Sequence, residues 1–249
     1  SGYTLDRAYG VAGSGALVAG AGVNLLVDSE TFVRARIIDT AVVTVDDLLT
    51  VSATQSSLPQ SQVISSGFGL IGGTGAVVNM NVDSTVSADV DGALIMAGRA
   101  DIDAANNVNR REINDATHID GDAGGLASGA AAFSNIDIDL DTSINLGPAV
   151  TFRTDDDMDL NVFNEIRVSD QVALFTAGAL SGAGAFTDVD ARDIVGAINI
   201  GNSADIDVGG DFTAEIDDRF IVDISSASET YGAGTVAIGT ADILIEPQN

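Results

Sequence analysis

The stretch Ile198–Asp218, which reads INIGNSADIDVGGDFTAEIDD, carries apolar residues at every second position. The dipeptides Gly201–Asn202 and Gly209–Gly210 divide it into three runs. Alternation with a period of two places one set of side chains on a buried strand face and the other set in solvent. The pattern therefore predicts three short strands joined by glycine turns, with no competing helical period.

Small-residue segments recur along the chain at a nearly fixed period. They begin near Gly13, Gly67, Gly124, Gly178 and Gly232, at spacings of 54, 57, 54 and 54 residues. Such self-similarity is the mark of a repeat architecture. We place repeats at about 13–66, 67–122, 123–177 and 178–231, with a lead-in over 1–12 and a partial repeat over 232–249.

These repeats predict one all-β domain over residues 1–249, built as a parallel β-solenoid of about four and a half repeats of ~55 residues. Each repeat is expected to make about two coils, stacked at the interstrand spacing of about 4.8 Å. An antiparallel β-sandwich is the alternative. The polar tract Asn106–Asp122 is expected to protrude as a loop, because insertions in repeat proteins map to loops.

The chain carries a formal net charge of −27, with ten arginines as its only basic residues apart from one histidine. A surface that binds phosphate must be positive, so nucleic acid and anionic membrane surfaces are not expected as partners. The uncharged stretch Ala8–Val27 is as long as a membrane span. Its glycines argue against insertion, as do Ser14 and Asn24. The absence of Cys excludes disulfides.

Alternating carboxylates are the strongest chemical signal. Asp137, Asp139 and Asp141 share one face of a predicted strand, and Asp155 and Asp157 follow in the same repeat. Stacking would bring such carboxylates within roughly 5 Å of one another, and Ca²⁺ would relieve their repulsion. These five residues are candidate Ca²⁺ ligands, although no standard calcium motif is present. The alternative is a solvated acidic face without a bound ion.

No catalytic constellation stands out, so we expect a non-enzymatic protein without a cofactor other than Ca²⁺. The sole histidine, His118, has acidic neighbours in the sequence but is expected to be a solvated loop residue. Arg153 beside Asp155–Asp157 is a local acid–base cluster, and paired carboxylates are typical of enzymes that cleave polysaccharides. With three Tyr and no Trp, the chain offers few aromatic platforms for sugars. A β-helix enzyme acting on extracellular polysaccharide is the alternative function.

The Gly/Ala lead GTGAVVNMNVDS and the turn-flanked strands INIGNSADIDVGGDFTAE, repeated in tandem, resemble the repeats of very large secreted bacterial adhesins of the filamentous haemagglutinin and leukotoxin-like type. The resemblance covers most of residues 13–245. It implies a structural protein, extracellular or on the cell surface, that acts as a fibre, adhesin or surface-layer component. An extracellular surface or polysaccharide would be its partner. The absence of Lys and the heavy use of Asp depart from that family.

The two termini predict self-association end to end. Apolar residues nearly alternate at the start (Tyr3, Leu5, Tyr9, Val11) and in the partial last repeat (Val236, Ile238, Ile243, Ile245). A terminal coil exposes unpaired backbone groups. We expect the N-terminal segment of one copy to complete the last coil of another, a head-to-tail contact that propagates as a filament. A pilus-like subunit that polymerises by strand exchange is a further alternative.

Overall fold

A computed structural model of the chain describes residues 1–111 and 118–248. These residues contain strands and turns but no helix, so none of them forms a helix that could span a membrane. The strands are β1 (Gly2–Ile37), β2 (Val42–Val90), β3 (Leu94–Arg110), β4 (Ile119–Gly124), β5 (Ala127–Leu146), β6 (Thr151–Thr154), β7 (Met158–Ala177), β8 (Leu180–Ile200), β9 (Asp205–Val208), β10 (Phe212–Tyr231) and β11 (Gly234–Gln248).

The strand pairs of the described chain are all parallel and join into one 11-stranded sheet. Paired residues lie between 51 positions apart, as in Leu48 with Arg99, and 58 apart, as in Ala100 with Met158. One step along the stack therefore takes one whole repeat. The expectation of two coils per repeat is wrong, and the parallel pairing does not fit the antiparallel sandwich alternative.

The long strands lie in two layers that face each other. Face A consists of residues 2–15, 48–68, 100–110 with 119–124, 158–177 and 212–231. Face B consists of residues 18–37, 71–90, 127–146, 180–200 and 234–248. Short strands at 42–45, 94–97, 151–154 and 205–208 form one narrow edge, which we call the acidic edge because Asp46, Asp47 and Asp155–Asp157 lie there. Ser84 on face B donates to Asn106 on face A across the interior.

Alternate side chains of both faces fill the space between them with three apolar clusters. Phe152 and Ile102 lie in the first, Ile136 and Ile166 in the second, and Ile119 and Leu174 in the third. Buried polar side chains occupy the inward positions between neighbouring clusters: Gln55, Asn106 and Asn164 between the first two, and Arg110 and Asp170 between the second and third. The core is therefore apolar in blocks that are separated by polar rows.

Two-residue corners join face A to face B, and their glycines explain the period of the sequence. A Cβ on Gly125 would overlap the carbonyl oxygen of Gly69 in the corner below, and one on Gly178 would overlap that of Gly125. The Leu126 amide donates to the Leu70 carbonyl oxygen at 2.8 Å, which fixes the stacked corners at this close approach. Glycine is required because backbone occupies the space of the side chain.

The structure confirms strands and turns at the positions predicted over Ile198–Asp218, since β8 ends at Ile200 and β9 and β10 follow after turns. Only β9 is short, because β8 and β10 are 21 and 20 residues long. Residues 2–12 belong to β1 and pair with 55–65.

The loop predicted over Asn106–Asp122 is wrong for the residues described there, because 106–110 lie in β3 and 119–122 in β4. The part over 112–117 lies outside the described residues. Gln55 and Phe68 pair with Asn106 and Gly124, so this repeat carries five more residues between equivalent positions than the preceding one. These five extra residues agree with an insertion in the polar tract Asn106–Asp122.

Candidate functional site

The predicted calcium ligands Asp137, Asp139 and Asp141 lie on the outward face of β5. Asp137 pairs with Asn81 on one side and Asp190 on the other, and Asp139 pairs with Asp83. Stacking does bring acidic residues into adjacent strands, as the sequence indicated. Asp141 pairs with Thr85 and Val195, so the acidic row does not continue through it.

Arg192 supplies positive charge within this acidic row. The register between β5 and β8 shifts between Asp137 and Leu140, and Arg192 lies in the resulting irregularity. Its Nε donates to Asp190 Oδ1 at 2.6 Å. Burial and the neighbouring Asp190 raise the pKa of Asp137, whereas Arg192 opposes that rise. Burial and Asp137 likewise raise the pKa of Asp139.

Asp155 and Asp157 do not join the other three predicted ligands. Asp141 precedes the end of β5 at Leu146 by five residues, roughly 16 Å of extended strand, and the turn that holds Asp155 and Asp157 lies beyond β6. Asp157 Oδ1 accepts a hydrogen bond from the Asp211 amide at 2.9 Å and so supports a turn. Among the described residues, no group of three or more His, Cys, Asp or Glu side chains is placed to hold a metal ion.

Arginine side chains connect acidic residues between stacked strands. Arg99 on β3 binds Asp159 on β7 at 2.8 Å, and Arg219 on β10 approaches Glu165 on β7 to 3.5 Å. Arg34 on β1 pairs in the same way with Asp89 on β2. Guanidinium groups thus offset part of the negative charge along the stack, with a planar geometry that suits carboxylates.

A buried ionic cluster lies between the second and third apolar clusters. Arg110 Nη1 is 2.6 Å from Asp170 Oδ1, and the same nitrogen donates to the Ser169 carbonyl oxygen at 2.7 Å. Arg110 Nη2 donates to Ser61 Oγ at 3.2 Å. Thr187 on face B donates to Asp170 Oδ2 at 3.1 Å, so the cluster joins both faces. Burial lowers the pKa of Arg110, and Asp170 counteracts that effect.

His118 belongs to this cluster, and its prediction as a solvated loop residue is wrong. The side chain is fully buried, and its Nδ1 accepts the Gln171 amide at 3.1 Å. Nδ1 lies 3.6 Å from Asp170 Oδ1. Burial, assisted by the charge of Arg110, lowers the pKa of His118 to about 4. A neutral imidazole that accepts at Nδ1 carries its proton on Nε2, which has no partner among the described residues.

Arg110 and Asp170 are not among the residues predicted from the sequence, although a signal for both is present there. In β3 and β7 the inward side chains are those of even-numbered residues. Arg110 and Asp170 continue this pattern after Val108 and Val168. Alternation alone therefore placed both charges inside. Their pairing depends on the register between β3 and β7, which the sequence does not show.

The residues predicted to mediate self-assembly lie at opposite ends of the stack. In the described chain β1 pairs only with β2, whereas β10 pairs with β7 and β11 with β8. The side chains of Tyr3, Leu5, Tyr9 and Val11 point outward and are exposed. Val236, Ile238 and Ile243 are also exposed, and Ile245 packs partly against the second apolar cluster. Each terminal strand thus has one edge without a partner in the described chain.

Two outward-facing depressions lie on the surface of the described residues. The Phe133 and Phe186 rings stack with centroids 4.9 Å apart beside a cavity of about 630 Å³. Arg153 and Asp155 line another depression of about 510 Å³, and Arg153 Nη2 is 3.9 Å from Asp205. No family model matches the chain, and no curated protein or solved structure gives a significant match.

Proposed function

We propose that the chain is a parallel β-solenoid with a structural function, which assembles end to end into a fibre of the adhesin or surface-layer type outside the cell. The observation that carries this proposal is one continuous parallel stack in which, among the described residues, β1 pairs only with β2, β10 with β7 and β11 with β8. Inward side chains at these ends, such as Val33 and Phe220, are half-buried, whereas their equivalents within the stack are buried. A further coil at either end would bury them.

The ladder of paired residues defines the register of the proposed contact. One ladder runs through Gly2, Gln55, Asn106, Asn164 and Asp218. Another runs through Phe32, Thr85, Asp141, Val195 and Gln248. Continuing both ladders places residues 2–32 of one copy on residues 218–248 of the next. Backbone hydrogen bonds supply the affinity of such strand addition, and alternate side chains supply its register.

This register also brings complementary charges together. Arg7 of one copy would face Asp223 of the other, both on the outward side of face A. Tyr3 would face Arg219, an arrangement of the kind that Arg219 already makes with the Phe163 ring, 5.6 Å away. Each copy has four short strands at the acidic edge but five levels in each face, so the acidic edge would have no strand pair across this contact. The interface is therefore confined to the long strands.

The location outside the cell and a partner among extracellular surfaces or polysaccharides follow from the resemblance of the repeats to secreted adhesins. The acidity of the chain supports the same proposal, because a strongly charged stack stays soluble while its ends associate. Asp137 and Asp139 add Ca²⁺ as a proposed stabilising ion of the outward face.

The proposal is tested by charge reversal across the predicted contact. Arg7→Asp and Asp223→Arg should each shorten the filaments seen by electron microscopy and lower the sedimentation coefficient, since each places like charges opposite one another. The double variant should restore assembly. Arg153→Asp, at another exposed arginine, which lies at the acidic edge, is the matched control. A native chain that stays monomeric at high concentration and moderate salt would refute the proposal, as would equal effects of Arg7→Asp and Arg153→Asp.

A further inference from the structure

The charged residues of this chain avoid one narrow edge of the stack. Charged side chains are absent from residues 8–27, 48–82, 123–136, 171–187 and 230–241. Each of these stretches contains the corner between face A and face B, which is Ala16–Leu17 at the first level and begins with Gly69, Gly125, Gly178 or Gly232 at the others. In a chain of net charge −27, this edge is neutral at every level. Carboxylates crowd the opposite, acidic edge instead.

The neutral edge also exposes large apolar side chains. The corner stripe, as we call it, consists of Leu17, Val18, Leu70, Ile71, Leu126 and Leu180, whose exposed fractions range from 51% to 73%. Val18 pairs with Ile71, Ile71 with Ala127, and Ala127 with Leu180, so the stripe runs parallel to the stacking direction. Contiguous exposed apolar patches of this kind mark interaction surfaces.

We infer that the corner stripe binds the corner stripe of a second copy, side by side. Two copies repel each other wherever carboxylates meet, and the neutral edge is the one side where the two stacks approach without that repulsion. The rows of the stripe lie about 4.8 Å apart, which is the interstrand spacing, so a partner that is itself a stack of strands matches them. A second copy has this spacing at every level.

The shape of the corner stripe suits a side-by-side contact between two copies. A depression of about 350 Å³ lies between successive rows, lined by Ile71, Gly72, Ala127, Gly129, Leu180 and Ser181. Its glycines keep the floor low, so that leucine side chains of the facing copy can enter between rows, as in the dry interfaces of paired sheets. A two-fold axis across the stripe makes the contact self-complementary and limits it to pairs. At the acidic edge, exposed Met96 lies beside Asp46, Arg153 and Asp155, so charged side chains interrupt the apolar surface there.

This lateral contact is independent of the end-to-end contact proposed above. The experiment therefore uses the Arg7→Asp background, in which end-to-end growth is weakened. Leu126→Asp and Leu180→Asp each place a carboxylate in the stripe, and Val42→Asp, at a residue that is 68% exposed at the acidic edge, is the matched control. Circular dichroism and melting confirm that each variant folds.

Sedimentation velocity across a concentration series gives the dimer dissociation constant. We expect a dimer in the Arg7→Asp background that tightens at higher salt, because salt screens repulsion between acidic faces. Each stripe variant should raise the dissociation constant at least ~10-fold, as burial of an unpaired charge requires, and Val42→Asp should leave it within about twofold. A monomer at all concentrations and salts would overturn the inference, and so would equal effects of the stripe and control variants.

Discussion

Arg110 Nη1 lies 2.6 Å from Asp170 Oδ1 between the two faces of the stack, and neither side chain is exposed. Replacing Arg110 with Met leaves the Asp170 carboxylate buried without its cation, so we expect a loss of about 3–5 kcal/mol in the free energy of unfolding. The double variant Arg110→Met/Asp170→Leu should recover most of it, since apolar groups can replace a buried ion pair.

Chemical denaturation with a spectroscopic readout checks this prediction. Arg153→Met, at an exposed and loosely paired arginine, should cost less than about 1 kcal/mol. The assignment of Arg110 to a buried pair would be wrong if the two single variants were equally stable.

His118 makes stability depend on pH in the weakly acidic range. Its pKa is about 4 in the folded chain against 6.5 for the free group, so the unfolded chain takes up a proton first as pH falls. Stability is therefore present above pH 6.5 and is lost between there and about pH 4, at about 1.4 kcal/mol for each unit of pKa difference. His118→Asn should flatten the dependence of unfolding free energy on pH across this window. Parallel curves for both proteins would contradict the buried, neutral imidazole.

Asp137 affects stability with the opposite sign. Its raised pKa means that the charged form is disfavoured in the folded chain, so stability is lost as pH rises above the ordinary value for a carboxyl and regained as pH falls. Asp137→Asn should raise the melting temperature at pH 7, most at low salt, and the gain should shrink toward pH 4. Ser52→Ala, on an exposed strand position, controls for the substitution itself.

Calcium should raise the melting temperature of the native chain at constant ionic strength, because an ion that binds only the folded state stabilises it. The rise in melting temperature should be smaller for Asp137→Asn and Asp139→Asn, because their outward carboxylates belong to the acidic row. Identical melting curves in Ca²⁺ and in chelator would show that Arg192 and solvent suffice to balance these charges.

The glycine corners give a direct test of the stacking geometry. Gly125→Ala should lower the melting temperature strongly, because its Cβ would overlap the Gly69 carbonyl oxygen. Gly75→Ala, where no atom lies within 4 Å of the new Cβ, should be neutral or slightly stabilising. Differential scanning calorimetry measures the melting temperatures of the two variants. Equal melting temperatures would mean that stacked corners do not approach each other as closely as described.

The alternation of apolar residues and the period of the repeats predict most of the fold from the sequence. They placed the strands over Ile198–Asp218 and the outward row at Asp137 and Asp139. They did not show that a repeat forms one step of the stack, because local alternation is the same whether the chain returns after half a repeat or a whole one. The pairings of Arg110 with Asp170 and of Arg192 with Asp190 depend on register, which is set by residues more than 50 positions apart or by an irregularity.

We propose that parallel coils, each one repeat long, continue from one copy into the next. Diffraction from aligned filaments of the native chain tests it most directly. Strands perpendicular to the filament axis give a reflection at about 4.8 Å along that axis, and this is the predicted result. A 4.8 Å reflection perpendicular to the filament axis would contradict this proposal. So would the absence of filaments from the native chain under conditions in which the Arg7→Asp/Asp223→Arg chain is also monomeric.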